Sequence, residues 1–305
     1  MYNELNYFYG QNFESIILCT FGSIVVFILF TIFKGFVSSF PPTLLAGVLY
    51  LGAGIGTSTL FFTNKNKERE RIDKSDMVYV ILMVILDIAA PVFMMKGLSI
   101  TRSENASLLG NFEIVATAII ALLFFRKRIS KKSGLAILLI TLSSFILSYN
   151  RSTSFSIDKG SLLIILATCF WGLENNCTRR LSNKDPMETV AIKGIFSGSG
   201  GVILGLIVGE RLDNLTLLIP ALILGFFSYG MSIYFYIYAQ RYLGAAKTSA
   251  YYAVNPFIGV ILSFLIFKEM PAPTFYLALL FMAAGSLIIT IDSLNSQENP
   301  CDSRL

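Results

Sequence analysis

Long apolar runs separated by short polar segments dominate this chain of 305 residues. Residues 15–33 carry no charged side chain, residues 77–95 carry only Asp87, and residues 105–125 carry only Glu113. About 20 helical residues cross the hydrocarbon core of a bilayer, and the runs have about this length. Because they are continuous and lack the alternation of barrel strands, they predict transmembrane helices.

The pattern predicts ten spans joined by short connections, at residues 15–34, 42–63, 77–96, 104–125, 133–150, 161–179, 187–209, 214–239, 246–267 and 271–291. The longest connection, 64–76, is a run of mixed charge, and no segment has the composition of a soluble domain. The sequence therefore predicts an all-α integral membrane protein. Residues 293–305 are expected to form a mobile polar tail.

The chain also repeats itself, since residues 97–127 are echoed at residues 239–269. The echo divides the spans into two halves of five, at 1–150 and 151–292. Because five is odd, the second half enters the membrane from the opposite side, which predicts two inverted five-helix repeats. Inverted repeats recur in secondary transporters, where the substrate site lies near the midplane between the halves.

Composition and loop charge extend this prediction. Hydrophobic residues make up 54% of the chain and charged residues 14%, with a mean hydropathy of +0.68, whereas soluble domains carry about 25% charged residues. Most of the 24 Lys and Arg residues fall in the two tails and in the connections that follow the second, fourth, sixth and eighth spans. By the positive-inside rule, both termini are expected in the cytoplasm. We expect a multi-pass protein of the cell membrane that contacts lipids and needs no nucleic-acid partner.

The sequence lacks the residues of most catalytic and metal sites. It has no His, which is the commonest general base and metal ligand. Its four Cys residues show no CxxC spacing, and it has no nucleotide-binding P-loop. We therefore predict no catalytic residue, no metal site and no cofactor, and we do not expect an enzyme.

Glu113 is the first of several ionisable or polar side chains inside the spans. Such a group costs at least ~2.5 kcal/mol in hydrocarbon, so it tends to face a cavity or a partner. Glu113 occupies the repeat position of Asn255, and Pro256 deprives the carbonyl of Tyr252 of its helical donor. Two interpretations stay open for Glu113: it faces a substrate pathway, or it makes a buried hydrogen bond between helices.

The sixth span contributes Trp171, Glu174 and Asn175 as candidates for a cavity lining. The alternative for Glu174 is an ion pair, either with Arg179 or Arg180 at the end of the span or with a lysine of the seventh span. That lysine, at position 193, is itself buried by sequence and requires a carboxylate.

Lys193 and Asp87 form the candidate buried ion pair of the chain. Asp87 lies four residues before Pro91, so a local helix kink explains its position as well as a function does. Tyr234 and Tyr238 are four residues apart and share a helix face, where they line a cavity or belong to the aromatic belt at the membrane interface.

The chain resembles the EamA-type carriers of the drug/metabolite transporter superfamily over essentially its whole length. The stretches that carry the resemblance are Asn105 to Glu113, Phe170-Trp171-Gly172, Ala245 to Tyr251 and Ser263 to Glu269. The resemblance implies a ten-helix fold with a central cavity and transport by alternating access. Members of that family move amino acids, other metabolites or toxic organic compounds, often outward.

Together these features predict a secondary transporter that moves small organic solutes, amino acids or related metabolites, by alternating access, with export as one direction open to it. The alternatives are an intramembrane lipid-modifying enzyme and a receptor-like membrane protein. The sequence leaves the oligomeric state open. The candidate pathway residues are Asn111, Glu113, Trp171, Glu174, Asn175, Tyr234, Tyr238, Tyr252 and Asn255.

Overall fold

The structure is a computed structural model. It describes residues 14–22, 24, 40–63, 70–100, 109–110, 112–126, 129–148, 159–212, 215–253, 257–258, 261, 265 and 273–295. Over this part of the chain the regular structure is helical, and no strand occurs among the described residues. Helix is present in the described part of each of the ten predicted spans. The predicted tail lies outside the described residues.

The helices are numbered here in chain order. Their bounds are α1 14–22, α2 Pro42–Thr63, α3 Met77–Ile100, α4 Phe112–Leu123, α5 Lys131–Ser148, α6 Lys159–Leu181, α7 Pro186–Val208, α8 Leu215–Leu243, α9 Ala245–Tyr252 and α10 Pro273–Asn295. Helix α8 contains a π-helical turn at Phe226–Gly230. Helix α8 ends at Leu243, later than the predicted end at residue 239. Its end is set by Gly244, whose φ of +80° separates α8 from α9.

Five helical segments are long and apolar enough to cross a membrane, counting only the described residues. Three of them are α2, α7 and α8 over their full lengths. The other two are Lys74–Met94, which includes the turn before α3 and most of α3, and Pro273–Asp292 of α10. Helix α4 is a shorter apolar helix. The side chains on their outer faces include many exposed Leu, Ile and Phe residues, as expected of helices that face lipid.

Helix α7 has a clear sequence signal at each end. Its N-cap is Asp185, whose carboxylate accepts from the main-chain N–H of Met187 at 2.9 Å, and Pro186 follows at the first helical position. At the other end Gly209 adopts a φ of +91°, a left-handed conformation that glycine tolerates best. These signals fix the length of α7 from Pro186 to Val208.

Helices α2 and α7 run antiparallel in close contact, and glycines make this approach possible. Gly47 packs against Gly201, and Gly54 packs against Gly194. A Cβ on Gly54 would lie 2.4 Å from the main-chain nitrogen of Ile195. Helix α2 lies in the predicted first half, 1–150, and α7 in the predicted second half, 151–292, so this contact joins the predicted halves.

Helices α5 and α10 form a second antiparallel pair of equivalent helices. The Ser143 hydroxyl donates to the main-chain oxygen of Ala278 at 2.8 Å, and the Ser133 hydroxyl donates to Asp292 Oδ2 at 2.5 Å. Helix α4 also contacts α9. Helices of the two predicted halves are therefore in contact at these three places.

Connections of the two halves meet at one end of the bundle. Lys184, between α6 and α7, lies 3.5 Å from Glu70, 3.2 Å from Asp73 and 3.4 Å from Asp76, all between α2 and α3. Arg241, at the end of α8, donates to the main-chain oxygen of Ser182 at 2.6 Å in the same region.

At the opposite end, Glu210 follows α7 and caps the first turn of α2. Its two carboxylate oxygens accept from the main-chain N–H groups of Thr43 at 3.2 Å and Leu44 at 2.8 Å. These donors have no partner inside their own helix, so Glu210 supplies it across the two halves.

Candidate functional site

Helix α6 carries two polar clusters on adjacent faces, and they are built around consecutive residues. Glu174 and Asn175 are 3% and 6% exposed, respectively. Successive positions of an α-helix point about 100° apart, so the two side chains reach different neighbours. Both clusters lie between the helices of the bundle.

The amide cluster consists of Glu113, Thr117, Asn175, Tyr236 and Ser249. The Asn175 amide nitrogen donates to Glu113 Oε1 at 2.8 Å, and the Tyr236 hydroxyl donates to Asn175 Oδ1 at 3.0 Å. Tyr236 also shares a hydrogen bond of 2.8 Å with the hydroxyl of Ser249. Asn175 thereby connects α4 of the first half with α8 of the second half.

Three further contacts fix the position of this part of α6. Gln240 donates from Nε2 to the main-chain oxygen of Asn175 at 3.1 Å. Asn176 donates to the main-chain oxygen of Thr117 at 3.0 Å. Gly172 packs directly on α4, since a Cβ there would lie 2.9 Å from the main-chain nitrogen of Thr117. The close approach of α6 to α4 brings Asn175 within reach of Glu113.

Aromatic rings border the amide cluster. The rings of Tyr236 and Tyr252 meet edge to face, with centroids 4.8 Å apart. The Tyr252 hydroxyl is hydrogen-bonded to Ser232. Glu113, Tyr236 and Tyr252 are half-buried, whereas Asn175 is buried. The cluster therefore combines a carboxylate, an amide and phenols, with Glu113 on its more accessible side.

The ion-pair cluster consists of Tyr50, Asp87, Glu174, Lys193 and Ser197. Lys193 Nζ lies 2.9 Å from Glu174 Oε1 and 3.5 Å from Asp87 Oδ1. The Tyr50 hydroxyl donates to Asp87 Oδ1 at 3.2 Å. One ammonium group thus serves two buried carboxylates, and the contacts join α2, α3, α6 and α7.

Three other groups complete the surroundings of Lys193. The hydroxyl of Thr178 donates to Glu174 Oε1. Lys193 Nζ lies 5.9 Å from the centre of the Tyr50 ring, which in turn meets the Tyr229 ring edge to face at 5.1 Å. Attraction between a cation and a ring face adds to the ion pairs at this range.

The structure brings some of the predicted site residues together and separates others. Glu113, Asn175 and Tyr252 lie in or beside the amide cluster. Glu174 lies in the ion-pair cluster and contacts Lys193 rather than the arginines at the end of α6. Trp171 is half-buried and lies one helical turn before both. Asn111 and Asn255 lie outside the described residues.

Tyr234 and Tyr238 face away from the amide cluster. Their rings stack on each other with centroids 6.5 Å apart, and Tyr238 continues to Tyr242 at 5.4 Å. Tyr236 lies two positions from each, which is more than half a turn around the helix. The sequence contained the signal for this residue, since the same aromatic run offers two faces, but it did not indicate which face turns inward.

Tyr50 and Ser249 are further cluster residues that sequence reasoning did not single out. Tyr50 interrupts an apolar span and is the only tyrosine of α2, which is the signal that could have identified it. Ser249 carries no comparable signal, because small hydroxyl residues are common in membrane helices.

Within the described ranges no group of three or more His, Cys, Asp or Glu residues lies close enough to hold a metal ion. Cys19, Cys169 and Cys177 are free thiols. The arrangement is suited to binding a polar solute through hydrogen bonds and charge.

One family model and two transporter sequences are similar to this chain. The sequence model of the EamA-like transporter family matches this chain twice, at residues 14–149 and 158–291. An uncharacterized transporter of Methanothermobacter thermautotrophicus is 30% identical over 262 residues, which cover 78% of this chain and 75% of that protein. An uncharacterized transporter of Bacillus subtilis, YyaM, is 23% identical over 282 residues and covers 88% and 92% of the two chains.

A solved crystal structure shares the fold. It superposes with a TM-score of 0.75 at 13% sequence identity, and the match covers 93% of this chain and 99% of the other. At this identity the likeness is evidence of fold alone.

Proposed function

The chain belongs to the EamA-like transporter family and is a membrane transporter; we propose that it is a secondary carrier that moves small organic solutes, amino acids or related metabolites, by alternating access. The observation that carries the proposal is the position of Asn175. Its side chain joins Glu113 of the first half to Tyr236 of the second half. A solute bound there contacts both halves, so its binding can respond to their relative motion.

The arrangement of helices supports alternating access between two inverted halves. Equivalent helices α2 and α7 are antiparallel, and so are α5 and α10. An inverted repeat requires this relation, because each helix of one half must cross the membrane in the opposite direction from its equivalent. Rocking of one half against the other then exposes a central site to each side in turn.

The chemistry of the amide cluster favours a solute with an amino group. Within the described part of the chain, Glu113 Oε1 accepts from Asn175, while no hydrogen bond reaches Oε2. Because Glu113 is half-buried, its second carboxylate oxygen can accept from the ammonium group of a solute. The phenols of Tyr236 and Tyr252 and the hydroxyl of Ser249 can bind the polar remainder of the solute, and the rings provide apolar contact.

The loop charges favour cytoplasmic termini in the cell membrane. Lys184 and Arg241 lie at the same end of the bundle, and this end carries most of the Lys and Arg residues of the connections. By the positive-inside rule we assign this end to the cytoplasm.

Two measurements test the carrier function. The first is a thermal-shift screen of purified protein against amino acids and amines, because a ligand of the native state raises its stability by mass action. The second is efflux of the radiolabelled ligands from proteoliposomes, compared with protein-free liposomes. We expect at least one ligand that both stabilises and flows. Ligands that stabilise without any flux would point to a receptor-like protein instead.

A further inference from the structure

The ion-pair cluster has an unbalanced charge. If its ionisable groups Asp87, Glu174 and Lys193 are all charged, two carboxylates face one ammonium group, and all three side chains are less than 10% exposed. An excess charge away from water is costly unless a further ion or proton neutralises it. The cluster therefore requires one more positive charge.

Asp87 has a free position for that charge. Its Oδ1 atom contacts Lys193 and accepts from Tyr50. Its Oδ2 atom is buried and makes no hydrogen bond to any described residue, and the same holds for Oγ of Ser197. Ser197 lies beside the Asp87 carboxylate and one turn beyond Lys193 on α7. A hydrogen bond between Oδ2 and Ser197 Oγ satisfies both atoms whether Ser197 or Asp87 donates, but only a proton on Oδ2 also cancels the excess charge.

Glu174 is the less suitable carboxylate for this proton. Its Oε1 atom already accepts from Thr178 and lies 2.9 Å from Lys193, against 3.5 Å for Asp87. Both contacts use the Oε1 atom of Glu174, whereas Oδ2 of Asp87 has no partner among the described residues. A metal cation is also unsuitable, because hard cations take six or more oxygen ligands and Lys193 already occupies the space between the two carboxylates.

We propose that Asp87 Oδ2 is a proton-binding site, separate from the amide cluster, and that its proton is exchanged during transport. Asp87 belongs to the first half of the chain, whereas Glu174, Lys193 and Ser197 belong to the second. Proton binding neutralises Asp87 and removes the charge that attracts it to Lys193, while Lys193 stays paired with Glu174. One bond between the halves is thereby weakened and a neutral one to Ser197 forms.

The other ionisable groups around Asp87 are two phenols and an ion pair, so we assign the proton to Asp87. From α2 and α8 they are the phenols of Tyr50 and Tyr229, which are neutral near pH 7. From α6 and α7 they are Glu174 and Lys193, which neutralise each other. Glu113 of α4 belongs to the separate amide cluster, where it accepts from Asn175.

Infrared difference spectroscopy tests the site directly, without a solute. Protein in lipid nanodiscs is compared between about pH 8 and about pH 5, and the C=O stretch of a protonated carboxyl group is recorded. We expect a band that Asp87→Asn lacks and that Asp292→Asn retains. Asp292 is the matched control, because it is also buried but is fully engaged by Ser130, Ser133 and Lys247. A band of unchanged intensity in Asp87→Asn, or no band in the wild type, overturns the proposal, and Glu113→Gln identifies any part of the band that comes from the amide cluster.

Ser197→Ala provides a second variant in case Asp87→Asn does not fold. This change removes only the acceptor of the proposed hydrogen bond. The carboxyl band is expected to remain and to move to higher frequency, as for a C=O group whose O–H is no longer hydrogen-bonded. An unchanged frequency contradicts the assignment to Asp87 Oδ2.

The exchange of this proton during transport rests on the proposed carrier function, and proteoliposomes separate the two claims. Efflux of an internal mixture of radiolabelled amino acids is measured with and without an imposed pH gradient. We expect a several-fold effect of the gradient in the wild type and none in Asp87→Asn. Flux that ignores the pH gradient, or follows a sodium gradient instead, overturns the coupling and leaves the carrier function intact. Absence of all flux contradicts the carrier function for these solutes and, with it, the exchange of the proton during transport, while the infrared result still decides the proton site.

Discussion

Glu174 and Asn175 follow each other on α6 and belong to two different polar clusters. Glu174 contacts the ammonium group of Lys193 at 2.9 Å. Asn175 donates its amide to Glu113 at 2.8 Å. A movement of α6 therefore acts on a charged contact and on the candidate solute site together. The proposed solute site and the proposed proton site are therefore linked through α6.

Replacing Lys193 with Met should destabilise the protein strongly. Asp87 and Glu174 would remain buried without a cation, and removing one partner of a buried ion pair costs about 3–5 kcal/mol. Thermal unfolding in detergent should show a large drop for Lys193→Met and a partial recovery for Lys193→Met combined with Asp87→Asn. The control is Lys184→Met, which breaks ion pairs to the exposed acids Glu70 and Asp73 and to the buried Asp76. Asp76 still accepts from the main-chain N–H of Asp73, so the loss should be smaller, about 1 kcal/mol. Equal losses in the two variants would show that the buried pair is not special.

Alanine at two glycines should have opposite effects. At Gly54 the added methyl meets the backbone of α7 at 2.4 Å, and overpacking of this kind costs about 1–3 kcal/mol. At Gly134, on α5, no atom lies within 4 Å of the added methyl, and alanine gains up to about 1 kcal/mol in helix propensity. Melting temperatures of Gly54→Ala and Gly134→Ala should move in opposite directions. A neutral Gly54→Ala would contradict the close contact of α2 with α7.

Removing the cap of α2 should cost about 1 kcal/mol. Glu210→Ala leaves the N–H groups of Thr43 and Leu44 without the acceptor that follows α7, and lost N-terminal caps cost about 0.5–2 kcal/mol. Glu210→Gln keeps one side-chain acceptor and should fall between the alanine variant and the wild type. Glu70→Ala is the control, since its side chain is 78% exposed. The order of the three melting temperatures checks the prediction.

Asp73 gives a pH dependence outside the membrane. Hydrogen bonds from the hydroxyl and main-chain N–H of Ser75, with help from Lys184, lower the pKa of Asp73 to about 2. A lowered pKa in the folded state means that the stabilisation is present at neutral pH. It is lost as the pH falls from about 4 towards 2. The stability difference between the wild type and Asp73→Asn should be constant above about pH 5 and shrink below it. A difference that grows on acidification would reverse the sign and exclude this cause.

Much of the architecture was predictable because membrane helices leave a strong pattern. The predicted spans overlap the observed helices, although several helices begin or end outside them, and Pro186 and Gly209 mark the ends of α7. Loop charge also grouped the connections that Lys184 and Arg241 bring together. The membrane imposes these features locally, so a single sequence carries them.

The composition of each cluster was harder to predict, because it depends on contacts between distant helices. Sequence reasoning required a carboxylate near Lys193 but could not choose among Asp87, Glu174 or both. It selected Tyr234 and Tyr238, whereas the contact with Asn175 comes from Tyr236. Rotation of α8 about its axis decides which tyrosine turns inward, and the π-helical turn at Phe226–Gly230 lies before these residues. Such a turn shifts the register of a helix and leaves little trace in periodicity.

The central claim is that solute passes through the contact between Asn175 and Glu113, and solute counterflow in proteoliposomes tests it most directly. A ligand found by thermal shift is used as the labelled solute, with wild type, Asn175→Ala and Asn183→Ala compared at equal protein content. Asn183 is exposed and follows the end of the same helix. Its side chain accepts a hydrogen bond from Arg179 and from no other described residue. The account predicts counterflow in the wild type and in Asn183→Ala, and loss of both binding and counterflow in folded Asn175→Ala. Counterflow of Asn175→Ala at the wild-type rate would contradict it.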